Sequence, residues 1–400
     1  MTPERIGVVG AGIIGLAVAR RLGELHGDAM ITVIDKEVTV GAHQTSHNSG
    51  VVHAGIYYAP DSLKAILCKR GSILLREYCA DRGIAFDECG KLVIAVDDSE
   101  IAALDRIQER AERNQVSGLR RIGAEGIREL EPHAVGVAGL HSPRTAITDF
   151  LAIARSYADD VLAAGGSLLL GQPVESIMSQ PNGVAVRVGE EELFFDRVVI
   201  CAGLQSDLVA EQAGDDAEPA IVPFRGEYYR LVPSKNNLVN GLIYPVPDPN
   251  YPFLGVHFTR RIDGHVDVGP NAVLAMSREG YLRRDISPKD LWTTLRWPGF
   301  QKLARTHWKM GISEVVGSMS KHQFLKRARA YVPELLDQDV VRAGSGVRAQ
   351  AVDRDGGLVE DFRIHRLGRV LAVRNAPSPA ATSSLAIAEY VCDELFKGDN

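Results

Sequence analysis

The chain has 400 residues, 45% of them hydrophobic and 24% charged, with a formal net charge of −6. That length suggests two or three domains with room for a sizeable core, in an ordinary globular composition. The acidic balance gives no reason to expect nucleic acid as a partner. The five cysteines, Cys68, Cys79, Cys89, Cys201 and Cys392, form no C-x-x-C pair and show no zinc-ligand spacing, so no metal site is expected. Such an odd, scattered set suits buried thiols in a reducing compartment. The first strand starts within a few residues, leaving no room for a signal peptide, and no run of about 18 apolar residues occurs. The expected location is cytoplasmic, with peripheral contact to the cytoplasmic membrane as a further option.

In chain order, "RIGVVGAGIIGLAVARRLGEL" reads as strand, tight glycine turn and helix, and "AMITVID" as a strand ending in an acid. A loop runs from about Lys36 to Pro60. Asp61 and Ser62 are placed to cap a helix carrying Leu63, Ile66, Leu67 and Leu74, which stops near Gly83. "KLVIAV" reads as a strand, and "SEIAALDRIQERAERNQ" as a surface helix with Ile101, Leu104 and Ile107 on its apolar side. Thr148 and Asp149 open a helix that ends at Gly165. Strands follow in "SLLL", "VESIM", "GVAVRV", "LFFD" and "RVVICAG". Residues 220–275 are strand-rich, with turn signals near Pro247–Pro249 and at Asp263-Gly264. From Ser287 to about Asp337 the pattern is mostly helical. The tail returns to α/β character in "GLVEDF" and "RVLAVRNAP", then closes with a helix from about Ala380 to Phe396.

This order predicts an α/β fold. A discontinuous, Rossmann-like dinucleotide domain is expected over 1–85, 145–215 and 338–400. An inserted α+β substrate domain with a mixed sheet is expected over 86–144 and 216–337.

"GAGIIG" supplies Gly10 for a tight turn, Gly12 for backbone approach to a pyrophosphate, and Gly15 for close helix–strand packing. The phosphates then face a helix N-terminus, beside Ile14, where free N–H groups favour negative charge. Asp35, followed by Lys36, lies where an acid can hold ribose hydroxyls. No second G-x-G-x-x-G occurs, so no separate nicotinamide domain is implied and FAD is favoured over NAD. Val198 to Gly203 reads as a buried strand whose small residues, Ala202 and Gly203, let backbone lie against the cofactor; Val174 is a further contact. In "TSHNSGVVHAGIYY", Thr45, Ser46, Asn48 and Ser49 offer short polar groups, and Gly50 allows approach to a flat ring. His53, Tyr57 and Tyr58 then fall near its reactive edge, while His43 and His47 read as structural.

The segments "TSHNSGVVHAGIYYAPDSLKAILC", "PFRGEYYRL", "LGVHFTRRIDGHVDVGPNAVLA", "REGY" and "GVRAQ" with "GGLVEDF" resemble the L-2-hydroxyglutarate dehydrogenase/oxidase family. That family belongs to the D-amino-acid-oxidase-like flavoproteins. The resemblance implies FAD, a two-domain fold and oxidation of a 2-hydroxydicarboxylate to its 2-oxo acid. "HAGIYY" is also similar to the histidine-glycine segment of FAD-dependent glycerol-3-phosphate dehydrogenases, where an arginine in a "GVR"-like segment faces substrate. The matching positions here are His53 and Arg348. The closing motif "NAPSPAATSSLAIAEY" lacks the glycines common in the superfamily, so Ser378, Ala380 and Thr382 are the expected cofactor contacts there.

A dicarboxylate needs cations or strong donors at both ends, and arginine's planar fork suits a carboxylate. Arg348 and Arg225 lead; Tyr57, Tyr58, Tyr244, Thr259 and Lys64 follow, with His257 and Arg260. The C2 hydrogen is expected to leave as hydride to flavin N5, and the hydroxyl proton to a base. His53 is the first choice of base and His257 the second. An amine oxidase of the same fold, acting on a D-amino acid, glycine or sarcosine, is the alternative, as is another 2-hydroxyacid. A non-enzymatic dinucleotide-binding module fits less well with so dense a polar set. The electron acceptor is expected to be a quinone or respiratory chain, oxygen, or a redox protein. Residues 296–331 hold an excess of basic residues interleaved with Trp297, Phe300, Trp308 and Phe324, which suits a membrane surface or redox partner.

Overall fold

The computed structural model describes residues 3–248 and 254–398. The turn expected near Pro247–Pro249 runs into residues outside those described. Six strands form the first sheet, in the spatial order Arg363–Leu367, Val370–Asn375, Arg197–Ile200, Arg5–Val9, Met30–Asp35, Ser167–Leu170. All neighbours are parallel except the edge strand Arg363–Leu367. The central strands are buried on both faces, which is why "GVV", "VVI" and "VLAV" read as continuous apolar runs. Helices Ile13–Leu25, Phe150–Ala163 and Ser384–Phe396 contribute to one core with this sheet. The chain leaves Arg5–Val9 toward one side of the sheet and returns through Arg197–Ile200 on the other. Those two strands therefore flank a topological switch point, where such sheets bind ligands beyond their carboxyl ends.

Among the described residues the second sheet has nine strands. It takes Lys91–Ala95, Arg120–Gly123 and Ala138–Ser142 from the first insertion, and five strands between Ala220 and Leu274 from the second. Val340–Val352, expected with the dinucleotide pieces, instead pairs with Ala220–Leu231 along nearly its whole length. That pairing is between segments far apart in sequence, so no local pattern announces it. Val51–Val52, Phe86–Asp87 and Ala146–Thr148 form a small sheet that ties the cofactor loop to the insertion.

Local signals set several boundaries. Ser62 caps Leu63–Arg82 by accepting from the Ala65 amide, and Gly83 ends that helix in the left-handed region. Asp149 caps Phe150–Ala163 by accepting from Leu151 and Ala152. Ile66, expected on the apolar face, is 55% exposed. "GLVEDF" contributes only an isolated bridge between Leu358 and Val352. The last helix begins at Ser384, because residues 380–383 turn within the closing loop.

Candidate active site

A cavity of about 740 Å³ opens at the switch point and runs from the glycine turn to the second sheet. Gly10 has φ +112°, and a Cβ there would meet the Cys201 carbonyl oxygen at 2.3 Å. A Cβ on Gly15 would meet the Gly10 carbonyl oxygen at 1.9 Å, so Gly15 serves packing and does not line the cavity. Gly12 is the N-cap of Ile13–Leu25 and offers no side chain; Thr45 Oγ1 accepts from the Ile13 amide at 3.0 Å. Gly12, Ile13 and Ile14 line the cavity, so the positive end of this helix faces it. The Asp35 carboxylate is oriented by the amides of Ala11 (2.6 Å) and Glu37 (2.8 Å).

Around this turn the cavity wall takes Lys36, Thr45, Asn48, Ser49, Val174, Ala202 and Gly203, then Ser378, Ala380 and Thr382 from the closing loop. Ser46 turns away, its hydroxyl bonded to the Ala42 and His43 carbonyls. Gly50 also lies outside the wall; its φ of +73° and a carbonyl 2.9 Å from its missing Cβ make it a turn residue. Glu37, His43 and Glu279 bring ligand-type atoms within 4.8 Å of one another. The Lys36 ammonium bonds all three, so a cation already sits among them. The helix N-terminus facing the cavity, the oriented Asp35 and the apolar walls of Val9, Ile34 and Val174 fit a large anionic dinucleotide such as FAD.

The far end of the same cavity gathers His53, Tyr57, Tyr58, Lys64, Tyr228, Tyr244, His257 and Arg348. His53 stands where the cofactor loop meets the closing loop: its amide donates to Thr382 Oγ1 (3.1 Å), and its Nε2 lies 3.4 Å from Ser378 Oγ. Burial, then the charges of Lys91, Lys64 and His257, hold the His53 pKa well below its ordinary value. His257 Nδ1 lies 2.9 Å from the Gly255 carbonyl, which can only accept. That bond puts the proton on Nδ1 and leaves Nε2 basic. Burial pushes the His257 pKa down to about 3, with Lys91 and Arg348 acting in the same direction. Both rings are therefore neutral near pH 7. Burial raises the pKa of Tyr57, Tyr58 and Tyr244, which keeps these phenols protonated as donors. The Tyr57 hydroxyl is buried without a hydrogen-bond partner among the described residues. Lys64 donates to the Glu360 carbonyl at 3.0 Å and lies 5.1 Å from the Tyr58 ring centroid.

Three expected substrate residues stand outside this wall. Arg225 is buried, and its guanidinium is committed to the Leu282 carbonyl (3.1 Å) and Glu227 (3.2 Å). Thr259 is buried inside the second sheet, opposite Leu242 and Asp267. Arg260 is partnered with the Asn240 carbonyl and Asp87. Two residues here had no sequence signal as site residues. Tyr228 stands next to Tyr229, which packs into the core of the second sheet. Lys91 heads an apolar strand, where a lysine reads as a solvated strand end, yet it is 1% exposed.

In the basic segment, helix Pro298–Met319 buries only Gly299 and Ser318. Of the four aromatics interleaved in residues 296–331, Trp308 is exposed; Phe324 is buried, Phe300 is half-buried, and Trp297 donates to the Val352 carbonyl at 2.9 Å. Ile312, Val315, Val316 and Met319 are exposed beside Trp308 at helical spacing. Among the described residues no helix is long and apolar enough to cross a membrane.

The family model described as FAD dependent oxidoreductase matches residues 5–394. A mitochondrial L-2-hydroxyglutarate dehydrogenase of Nematostella vectensis is 46% identical over 97% of this chain and 90% of its own length. The L-2-hydroxyglutarate dehydrogenase of Indibacter alkaliphilus is 41% identical over 98% of both chains. Among solved structures, the FAD-bound L-α-glycerophosphate oxidase of Mycoplasma pneumoniae superimposes with a TM-score of 0.80 at 21% identity, over 99% of this chain and 95% of that one. Glycine oxidase of Geobacillus kaustophilus gives 0.73 at 18% identity, over 98% and 95%. These two share the fold. The dinucleotide cavity and the match across nearly the whole chain place this protein in the FAD-dependent oxidoreductase family, with FAD as its cofactor.

Proposed function

We propose that this protein oxidises L-2-hydroxyglutarate to 2-oxoglutarate. The observation that carries the reading is one cavity that joins a dinucleotide site to an end lined by His53, His257, Lys64 and Arg348. The acids lining the cavity, Asp35, Glu37 and Glu279, belong to the dinucleotide end. The other end therefore combines cations for carboxylates with neutral imidazoles for a hydroxyl proton. An amine oxidase has no need of a base for an alcohol, and its substrates carry positive charge that these cations oppose. The full-length likeness to named L-2-hydroxyglutarate dehydrogenases supports the same substrate.

Bound FAD supplies the two-electron oxidation. Arg348 holds the C1 carboxylate with its planar fork. His53, neutral near pH 7, accepts the hydroxyl proton; the substrate's negative charge raises its basicity as the complex forms. His257 is the second candidate, because its bond to Gly255 leaves Nε2 basic. Tyr57, Tyr58, Tyr244 and Lys64 orient the rest of the substrate. Gly10, Gly12, Ile14, Asp35, Lys36, Thr45, Asn48, Ser49, Val174, Ala202, Gly203, Ser378, Ala380 and Thr382 hold the cofactor, all of them in the cavity wall. The electron acceptor would be a quinone or respiratory chain, oxygen or a redox protein. The exposed stripe on Pro298–Met319, flanked by Lys302, Arg305 and Lys309, supports contact with an anionic membrane surface. Anaerobic titration of the flavin with L-2-hydroxyglutarate tests the substrate directly.

A further inference from the structure

Lys91 opens the strand Lys91–Ala95, between Leu242 on one side and Ser142 on the other. Its ammonium lies 3.9 Å from the Tyr244 ring centroid and 5.3 Å from that of Tyr57. Both rings line the cavity, and Tyr244 stacks on His257 at 4.0 Å. A buried ammonium is costly, and a carboxylate partner is the usual compensation. Among the described residues none forms an ion pair with it. The groups that face it are the imidazoles of His53 and His257, the phenols of Tyr57 and Tyr244, and the thiols of Cys68 and Cys89. Lys64 and Arg348 add further positive charge around the same end of the cavity.

We infer that Lys91 is a specificity-determining residue: from behind the Tyr57 and Tyr244 rings it makes the cavity prefer a substrate with a second carboxylate. The inference rests on the proposed 2-hydroxydicarboxylate reading. Two effects carry it. Charge at close range inside a weakly polarisable wall reaches a ligand without touching it. A cation against the ring faces also favours phenol O–H groups as donors, and the Tyr57 hydroxyl is a buried donor without a partner among the described residues. Burial brings the Lys91 pKa down to about 7. A bound dianion restores the charged form, so binding above pH 7 takes up a proton.

The test compares anaerobic flavin reduction by L-2-hydroxyglutarate and by L-2-hydroxypentanoate, which has the same chain length and no second carboxylate. Lys91→Met should raise the half-saturating concentration of the first roughly 10–100-fold and change that of the second by less than about threefold. Lys91→Arg should recover part of the loss. Equal losses on both substrates, or none, overturn the inference. A wild-type protein reduced by neither substrate sinks the functional reading instead. Binding of glutarate, followed by its perturbation of the flavin spectrum, then tests Lys91 without turnover or a variant. At pH 8 in weak buffer the wild type should take up between about 0.5 and 1 proton per glutarate bound, and clearly less per pentanoate bound. No uptake with glutarate overturns the inference.

Discussion

The His53 amide donates to Thr382 Oγ1 over 3.1 Å, although the two residues stand 329 positions apart in the chain. This one bond pins the cofactor loop to the closing loop, and it holds the His53 ring beside Ser378 in the cavity wall. If the ring is the base, its removal should hurt chemistry more than binding. His53→Ala is expected to slow anaerobic flavin reduction by roughly 10²–10⁴-fold, with substrate affinity largely kept. Rapid-mixing spectroscopy separates the two. Near-normal reduction would move the role to His257, whose own alanine variant should then show the loss.

Arg348 is expected to act mainly on binding. Arg348→Ala should weaken L-2-hydroxyglutarate by about 2–5 kcal/mol, as for a desolvated charge pair that loses one partner. Arg348→Lys should recover only part, since an ammonium cannot make two parallel bonds to a carboxylate. Equilibrium titration of both variants measures this. An unchanged dissociation constant in Arg348→Ala would remove it from the substrate site.

The pH profile follows from the histidine environment. A base works in its neutral form, so reduction is lost as pH falls through the folded-state pKa. Burial, with Lys91, Lys64 and His257, holds that value well below 6.5. On its acid side the second-order rate of flavin reduction by substrate should therefore stay high down to pH 6.5 and fall only below it, while loss of the Lys91 charge sets a separate decline above about pH 7. An acid limb at or above 6.5 would argue against His53 as the free enzyme's base.

Arg278 and Asp207 are each 1% exposed and joined by two bonds, of 2.5 and 2.8 Å. Asp207 also accepts from the Ile221 amide at 2.8 Å, so the pair ties the helix after the Cys201–Gly203 turn to the second sheet. Arg278→Met strands a buried carboxylate and should cost about 3–5 kcal/mol. Denaturant unfolding of the holoenzyme reads it; a change under about 1 kcal/mol would contradict the account.

Flotation with anionic vesicles tests the exposed stripe. Wild-type protein should float at low salt, and Trp308→Ser with Met319→Asp should not. Wild-type protein remaining in the soluble fraction at low salt would discard the membrane contact.

What was legible in the sequence was mostly local. The glycine turn, Asp35 and the caps at Ser62 and Asp149 depend on neighbours within a few residues. The polar stretch after the second strand brought His53 into view and the family likeness brought Arg348, and both line the cavity. Arg225 shows the limit: its sequence context matches a substrate arginine, but its guanidinium is taken up by Glu227, two residues along the same strand, and by the Leu282 carbonyl of a loop 57 positions away. Lys91 was hidden for a related reason. Nothing in "CGKLVIAV" announces that Tyr57 and Tyr244 will close over its ammonium. The aromatic count in 296–331 misled in the opposite sense, since packing took Phe324 inward and left aliphatic residues outside.

The central claim is that this cavity oxidises a 2-hydroxydicarboxylate of L configuration. Anaerobic mixing of the flavin-loaded protein with a panel of L- and D-2-hydroxy acids, glycine, sarcosine and D-amino acids tests it most directly. L-2-hydroxyglutarate should bleach the flavin rapidly with stoichiometric 2-oxoglutarate, while its D enantiomer and the amines leave it oxidised. Rapid bleaching by an amine, with L-2-hydroxyglutarate inert, would contradict the account.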